Sequence, residues 1–179
     1  YRLRPVDLMA GVENDPEFLA INPAGFIPAL QDGDVTMVES VAIMEYLIAR
    51  YGPTPLAPSP HDPAFPLYQQ FMHLGEAGLM GLMFMVFADR VLAPEDRRYS
   101  WTGNFALELF ESRRGLVARQ LARSPYMTGE AFTAADISVT TALEFATRHG
   151  GVTLNVAEQA YLARNTARGS YAQAMETCQ

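Results

Sequence analysis

Six prolines fall between Gly52 and Pro66, at positions 53, 55, 58, 60, 63 and 66. Each locks its own φ, removes a backbone donor and disfavours helix in the residue before it. No helix or sheet ladder can run through such a stretch. Residues 52–66 therefore read as a stiff, extended linker. It divides the chain into two pieces of different character, 1–51 and 67–179.

Before the linker, short segments alternate in type. Residues 1–6 alternate apolar and polar, which predicts a strand. Residues 15–21 predict a short helix, with Asp15 as N-cap and Pro16 at the first helical position. Asn22-Pro23-Ala24-Gly25 breaks that helix. Apolar runs at 27–30 and 35–38 then flank Gln31-Asp32-Gly33-Asp34, a hairpin signal. Residues 40–51 predict a helix, with Ile43, Met44, Leu47 and Ile48 at helical spacing and Ser40 as its N-cap. Two paired strands and two helices do not close a layered core. A strand at 1–6 needs a parallel partner, which normally comes earlier, across a helical connection. The expectation is an incomplete α/β piece whose first βα unit lies outside the 179 residues.

After the linker, helices are predicted at 67–92, at 104–122, from Thr133 and at 156–168. In the second, Phe105, Leu109, Leu116 and Gln120 form one stripe, with Phe110, Val117 and Leu121 beside it. Trp101 is expected to anchor the start of that helix. The first carries Phe71, Met72, Met80, Met83, Phe84, Met85 and Phe87, with Gly75, Gly78 and Gly81 interspersed. Such a helix can be buried core, or it can line a pocket for an apolar ligand, since methionine adapts to varied shapes. At the third start, Thr133 and Asp136 stand at capping-box spacing, with Phe132 and Ile137 where a hydrophobic staple would form.

Composition narrows the function. Hydrophobic residues make up 49% and charged residues 18%, enough for a core and too little charge for a disordered chain. The net charge of −7, without a cluster of cations, argues against nucleic acid as a partner. The longest uncharged apolar stretch, 77–88, is shorter than the roughly 18 residues a membrane span needs. A single cysteine, Cys178, excludes a disulfide within the chain and is read as an inert thiol. Nothing demands an oxidising compartment, so the cytoplasm is expected. His61, His73 and His149 lack ligand spacing, and no metal site is expected.

Asn22-Pro23-Ala24-Gly25-Phe26-Ile27-Pro28-Ala29-Leu30, followed by Val38-Glu39-Ser40-Val41-Ala42-Ile43, resembles the glutathione S-transferase superfamily, and Thr133-Ala134-Ala135-Asp136 adds a second match. The resemblance implies a thioredoxin-like N-terminal domain, incomplete here, followed by the all-helical C-terminal domain of that family. It implies glutathione as co-substrate, a small apolar electrophile as the second substrate, a detoxifying role and a homodimer. A reductase, an isomerase, a dehalogenase or a non-catalytic interaction module of the same fold are the alternatives.

Four residues are the expected glutathione contacts. Ser40 stands at a helix start, whose free N–H groups and partial positive charge favour a carboxylate. Glu39 can accept from an ammonium group. Together they suit the γ-glutamyl end of glutathione, although Ser40 can equally serve as a plain cap. In the family the Ile27–Pro28 bond is cis, which turns the Ile27 backbone toward the ligand. Met80 and Phe84 are the expected lining of the co-substrate pocket, and Thr133 and Asp136 the structural cap. Phe26 departs from the basic residue that many relatives carry there, and cannot meet the glycyl carboxylate. The residue that activates the thiol (Tyr, Ser or Cys by class) belongs to the first βα unit, so the catalytic residue is unassigned. Tyr1, expected to open the second strand, is not it.

Overall fold

The computed structural model describes residues 1–7, 11 and 14–177. Cys178, read above as inert, lies outside them. The chain divides into two units: Tyr1–Thr54 with Ala172–Gln179, and Pro55–Tyr171.

The first unit holds helix α1 (Pro16–Ile21), strands β1 (Ala29–Asp32) and β2 (Val35–Val38), and helix α2 (Ser40–Tyr51). Asp15 caps α1 by accepting from the Phe18 N–H at 2.9 Å, and its carboxylate also accepts from Nη1 and Nη2 of Arg4 at 2.9 and 2.7 Å. β1 and β2 pair antiparallel, Ala29 with Val38 through Asp32 with Val35. Gly33 turns the hairpin at φ +59°, a conformation that costs glycine little. Residues 1–7 form no strand, contrary to the alternation of 1–6. Alternation marks a surface with two faces, but a strand also needs a neighbouring strand to pair with, and the described sheet consists of β1 and β2 alone.

The second unit is helical. Helix α3 (Phe65–His73) continues without a break through a π-helical segment (Leu74–Met80), α4 (Gly81–Phe87) and a second π segment (Ala88–Leu92). The result is one rod, Phe65–Leu92. The predicted helix 67–92 thus starts two residues earlier and widens twice. Apolar spacing explains the first widening. Gly75, Leu79 and Met83 are all buried and successively four apart. On a regular α-helix each such step drifts by about 40°, and an i→i+5 turn takes up much of that drift. The packing agrees. A side chain at Gly75 would run into Ser138 of the neighbouring helix, whose hydroxyl donates to the Met72 carbonyl at 2.8 Å.

By length and composition this rod could cross a membrane, which the count of uncharged residues alone did not suggest. It also supplies core side chains to the unit, with Phe71, Met72, Leu79, Met83 and Val86 at 2% exposure or less.

Helix α5 (Trp101–Leu121) begins at the Ser100 cap, three residues before the predicted start. Trp101, its first residue, is exposed and stacks on Phe105 at 5.1 Å. The buried face is Gly103, Ala106, Phe110, Val117 and Gln120, which takes Gln120 from the first stripe and Phe110 and Val117 from the one beside it and leaves Phe105 exposed. Small residues decide this. Gly103 leaves room for the Asp89 carboxylate, which accepts from the Ser100 N–H at 3.1 Å and caps α5 from the rod. The Ser100 hydroxyl, and then its N–H, hold the Asp89 carboxyl below its usual range.

Helix α6 (Ala134–His149) opens with the expected capping box. The Thr133 N–H donates to Asp136 Oδ2 at 2.8 Å. Asp136 Oδ1 accepts from the Met127 N–H at 2.9 Å and the Tyr161 hydroxyl at 3.0 Å. Burial pushes the Asp136 carboxyl up, and these donors offset part of the shift. Phe132 meets Tyr126 edge-on and lies under the Arg168 guanidinium.

Helix α7 (Val156–Thr166) has a second capping box, Asn155 with Glu158. The sequence reading lacked it, although Asn-x-x-Glu is its signature. Glu158, 1% exposed, also takes a 2.9 Å bond from Arg114 of α5. Helix α8 (Gly169–Thr177) closes the chain and was not predicted, being short and without an apolar stripe. This is the expected fold class: a thioredoxin-like portion, then an all-helical domain.

Candidate functional site

The hairpin brings the two halves of the first motif together. Ala29 is paired with Val38, so Pro28 and Glu39 are the next residues out at the same end of the ladder. Paired antiparallel residues have Cα atoms about 5 Å apart. Ile27–Pro28 and Glu39–Ser40, eleven or more residues apart in the chain, thus leave the sheet side by side.

The first strand of this junction is delivered by a shaped loop. Asn22 caps α1 with its N–H on the Phe18 carbonyl. Gly25 stands at φ +70°. The Ile27–Pro28 peptide bond is cis, as the resemblance implies; Gly52–Pro53 is also cis. Ile27 is 51% exposed and Phe26 41%. The phenylalanine thus sits on the surface beside the junction.

On the second strand, Glu39 has φ +75°, a left-handed conformation that costs a non-glycine residue about 1–3 kcal/mol. It is the N-cap of α2 by position, and its carbonyl accepts from the Ile43 N–H at 2.9 Å. Its side chain makes no capping bond and is exposed. Ser40 is the first helical residue and not the cap. The reason is the turn at Glu39, which starts the helix one residue sooner than a serine cap would. The half-buried Ser40 hydroxyl-bearing residue therefore stands directly at the positive end of α2.

The opposite end of the hairpin is tied to the same helix. Asp32 accepts from the Tyr46 hydroxyl at 2.8 Å and the Tyr51 hydroxyl at 2.6 Å. Tyr51, then Tyr46, hold the Asp32 carboxyl below its usual range, and Asp32 raises both phenols. The sequence reading missed this clamp. Its signal was two tyrosines on one predicted helix and an aspartate in the preceding turn.

Met80 and Phe84 lie in the other unit, one turn apart on the Phe65–Leu92 rod. Met80 is half-buried and Phe84 is 55% exposed. Phe84 begins a ring group that continues through Phe87 to Phe145 and His149, with centroids 4.8–6.2 Å apart. Neither residue lines the cavity of about 140 Å³ between α3 and α5, whose walls include Phe71, Leu116, Arg119 and Arg123. Among the described residues, no three His, Cys, Asp or Glu side chains gather as metal ligands.

Comparison with known proteins bears on the whole arrangement. Residues 1–55 match the family described as glutathione S-transferase, N-terminal domain. Glutathione S-transferase Z2 of Arabidopsis thaliana is 31% identical over 141 residues, covering 76% of this chain and 61% of its own. The chain thus spans about three fifths of such a relative. A solved glutathione S-transferase domain-containing protein of Marinobacter aquaeolei is 30% identical, with a TM-score of 0.77 over 94% of this chain and 85% of that one. The theta class glutathione S-transferase of Xanthomonas axonopodis pv. citri, solved with glutathione bound, is 28% identical, with a TM-score of 0.74 over 91% of this chain and 78% of its own. Motif, fold and likeness agree, and the chain belongs to the glutathione S-transferase superfamily.

Proposed function

We propose that this chain is the greater part of a glutathione transferase, which binds glutathione and adds its thiolate to a small apolar electrophile. The observation that carries the reading is the convergence of Ile27–Pro28 and Glu39–Ser40 at one end of the β1–β2 ladder. An extended peptide has backbone groups to pair with at Ile27. Its γ-glutamyl carboxylate meets the start of α2 at Ser40, and its ammonium group meets Glu39. The strained φ of Glu39 supports this, since such strain persists where the surroundings hold a functional geometry in place.

A free thiol has a pKa near 8.5 and is only a few per cent thiolate at neutral pH. A donor that stabilises the thiolate raises the nucleophile concentration. No residue of this chain is assigned that part. Met80 and Phe84, with Phe87 behind, are the proposed lining for the electrophile; an adaptable thioether beside exposed rings suits a permissive apolar site. A cytoplasmic homodimer is the proposed form, and detoxification the proposed role, on the family likeness alone.

The test is a glutathione titration of the full-length protein, following thiolate absorbance against pH. Saturable binding with a thiol pKa well below the free value is expected. Replacing Glu39 and Ser40 together by alanine should weaken binding by about 100-fold or more, as for the loss of two charge-assisted bonds of about 1.5–3 kcal/mol each, and leave the melting temperature within a few degrees. Unchanged affinity in that variant would remove the site. Binding without a pKa shift would favour a thiol-exchange enzyme over a transferase.

A further inference from the structure

We infer that Asn22 is a positioning residue for the glutathione site, an inference that rests on the reading above. Asn22 is 2% exposed, and every hydrogen-bonding group it has is engaged within ten residues of chain. Its N–H donates to the Phe18 carbonyl at 2.8 Å, ending α1. Its carbonyl accepts from the Gly25 N–H at 3.0 Å. Its side-chain oxygen accepts from the Ala24 N–H at 3.1 Å. Its side-chain amide donates to the Phe26 carbonyl at 2.5 Å.

The first three bonds build a turn that other residues could approximate. The fourth is different in kind. It reaches across the turn and fixes the last carbonyl before Ile27. That peptide plane sets the direction in which the chain enters Ile27–Pro28, the segment proposed to pair with glutathione. The side chain needs a donor and an acceptor on one short stem, which asparagine supplies. Aspartate keeps the acceptor for Ala24 but turns the donor facing Phe26 into a second acceptor. Serine lacks the reach. Gly25 at φ +70° and the exposed Pro23 shape the turn but make no bond to Phe26. Phe26 and Ile27 are themselves exposed, so packing does little to hold them. A single buried amide thus carries the alignment of an exposed binding edge.

The test is calorimetric titration of the full-length protein with glutathione, for the parent, Asn22→Ala and Asn22→Asp, well below each melting temperature. Stoichiometry reports the folded fraction, and Kd reports the site. Both variants should raise Kd about tenfold or more at unchanged stoichiometry. Thr133→Ala, a cap in the other unit, should lower stability and leave Kd alone. Should Asn22→Ala fail to fold, Asn22→Asp, which retains the Ala24 contact, carries the comparison. A Kd within twofold of the parent in the folded variants overturns the inference while leaving the glutathione reading intact. A falling stoichiometry at constant Kd also overturns it, since that is a folding role only. A parent that does not bind glutathione overturns both.

Discussion

Asp136 is the most heavily engaged side chain of the helical unit. Two backbone N–H groups and a tyrosine hydroxyl converge on one buried carboxylate. Through them Asp136 ties the 124–133 loop, the start of α6 and α7 to one point. Thr133→Ala removes the other half of the box and should cost roughly 0.5–2 kcal/mol. Asp136→Ala should cost more, about 3 kcal/mol or above, because it strands three buried donors at once. Urea titration of the two variants checks the order; equal midpoints would mean that the Met127 and Tyr161 bonds contribute nothing.

Among the elements, the β1–β2 hairpin depends on α2, since two isolated strands are marginal. The Asp32 clamp supplies that tie. Its carboxyl is held below the usual range by the two phenols. The unfolded chain therefore binds the proton first as pH falls. The stabilisation is present above about pH 4 and is lost as pH drops through the lowered folded value. Comparing parent with Asp32→Asn between pH 6 and 2, the stability gap should be widest at pH 6 and close on acidification. A constant gap would show that the charge is immaterial. The same elements show what periodicity and turn chemistry can reveal. α1 with its Asp15 cap, the hairpin, α2 and the α6 box were legible, because each is specified by neighbours within about four residues. The π segments, the Gly103 end of the buried face of α5 and the Asp89 cap were not. They depend on Gly75 meeting Ser138 and Gly103 meeting Asp89, contacts between residues 63 and 14 positions apart. At the candidate site the residue types were readable from the motif. Asn22 registered as a helix breaker and as the head of that motif, not as a site residue, because its Phe26 bond exists only once the turn has closed.

At the scale of the whole molecule, all 13 cationic side chains are arginine. Several contacts use what a guanidinium offers: two nitrogens of Arg4 on one carboxylate, Arg114 shared between Glu111 and Glu158, Arg168 over the ring of Phe132. This has a consequence in base. Lysine contacts fade as the ammonium deprotonates near pH 10.4, whereas guanidinium keeps its charge beyond pH 12. The alkaline limit of the fold thus falls to the phenols. Tyr46, Tyr51 and Tyr171 are raised chiefly by carboxylates that accept hydrogen bonds from their hydroxyls, and Tyr161 by burial. A raised folded value means stability that is intact below about pH 10 and drains away above it. In a base titration, loss of helix should not precede the ultraviolet signal of tyrosinate formation. The molecule is built to meet alkali as a tyrosine protein, its ion pairs still standing when its hydroxyls give way.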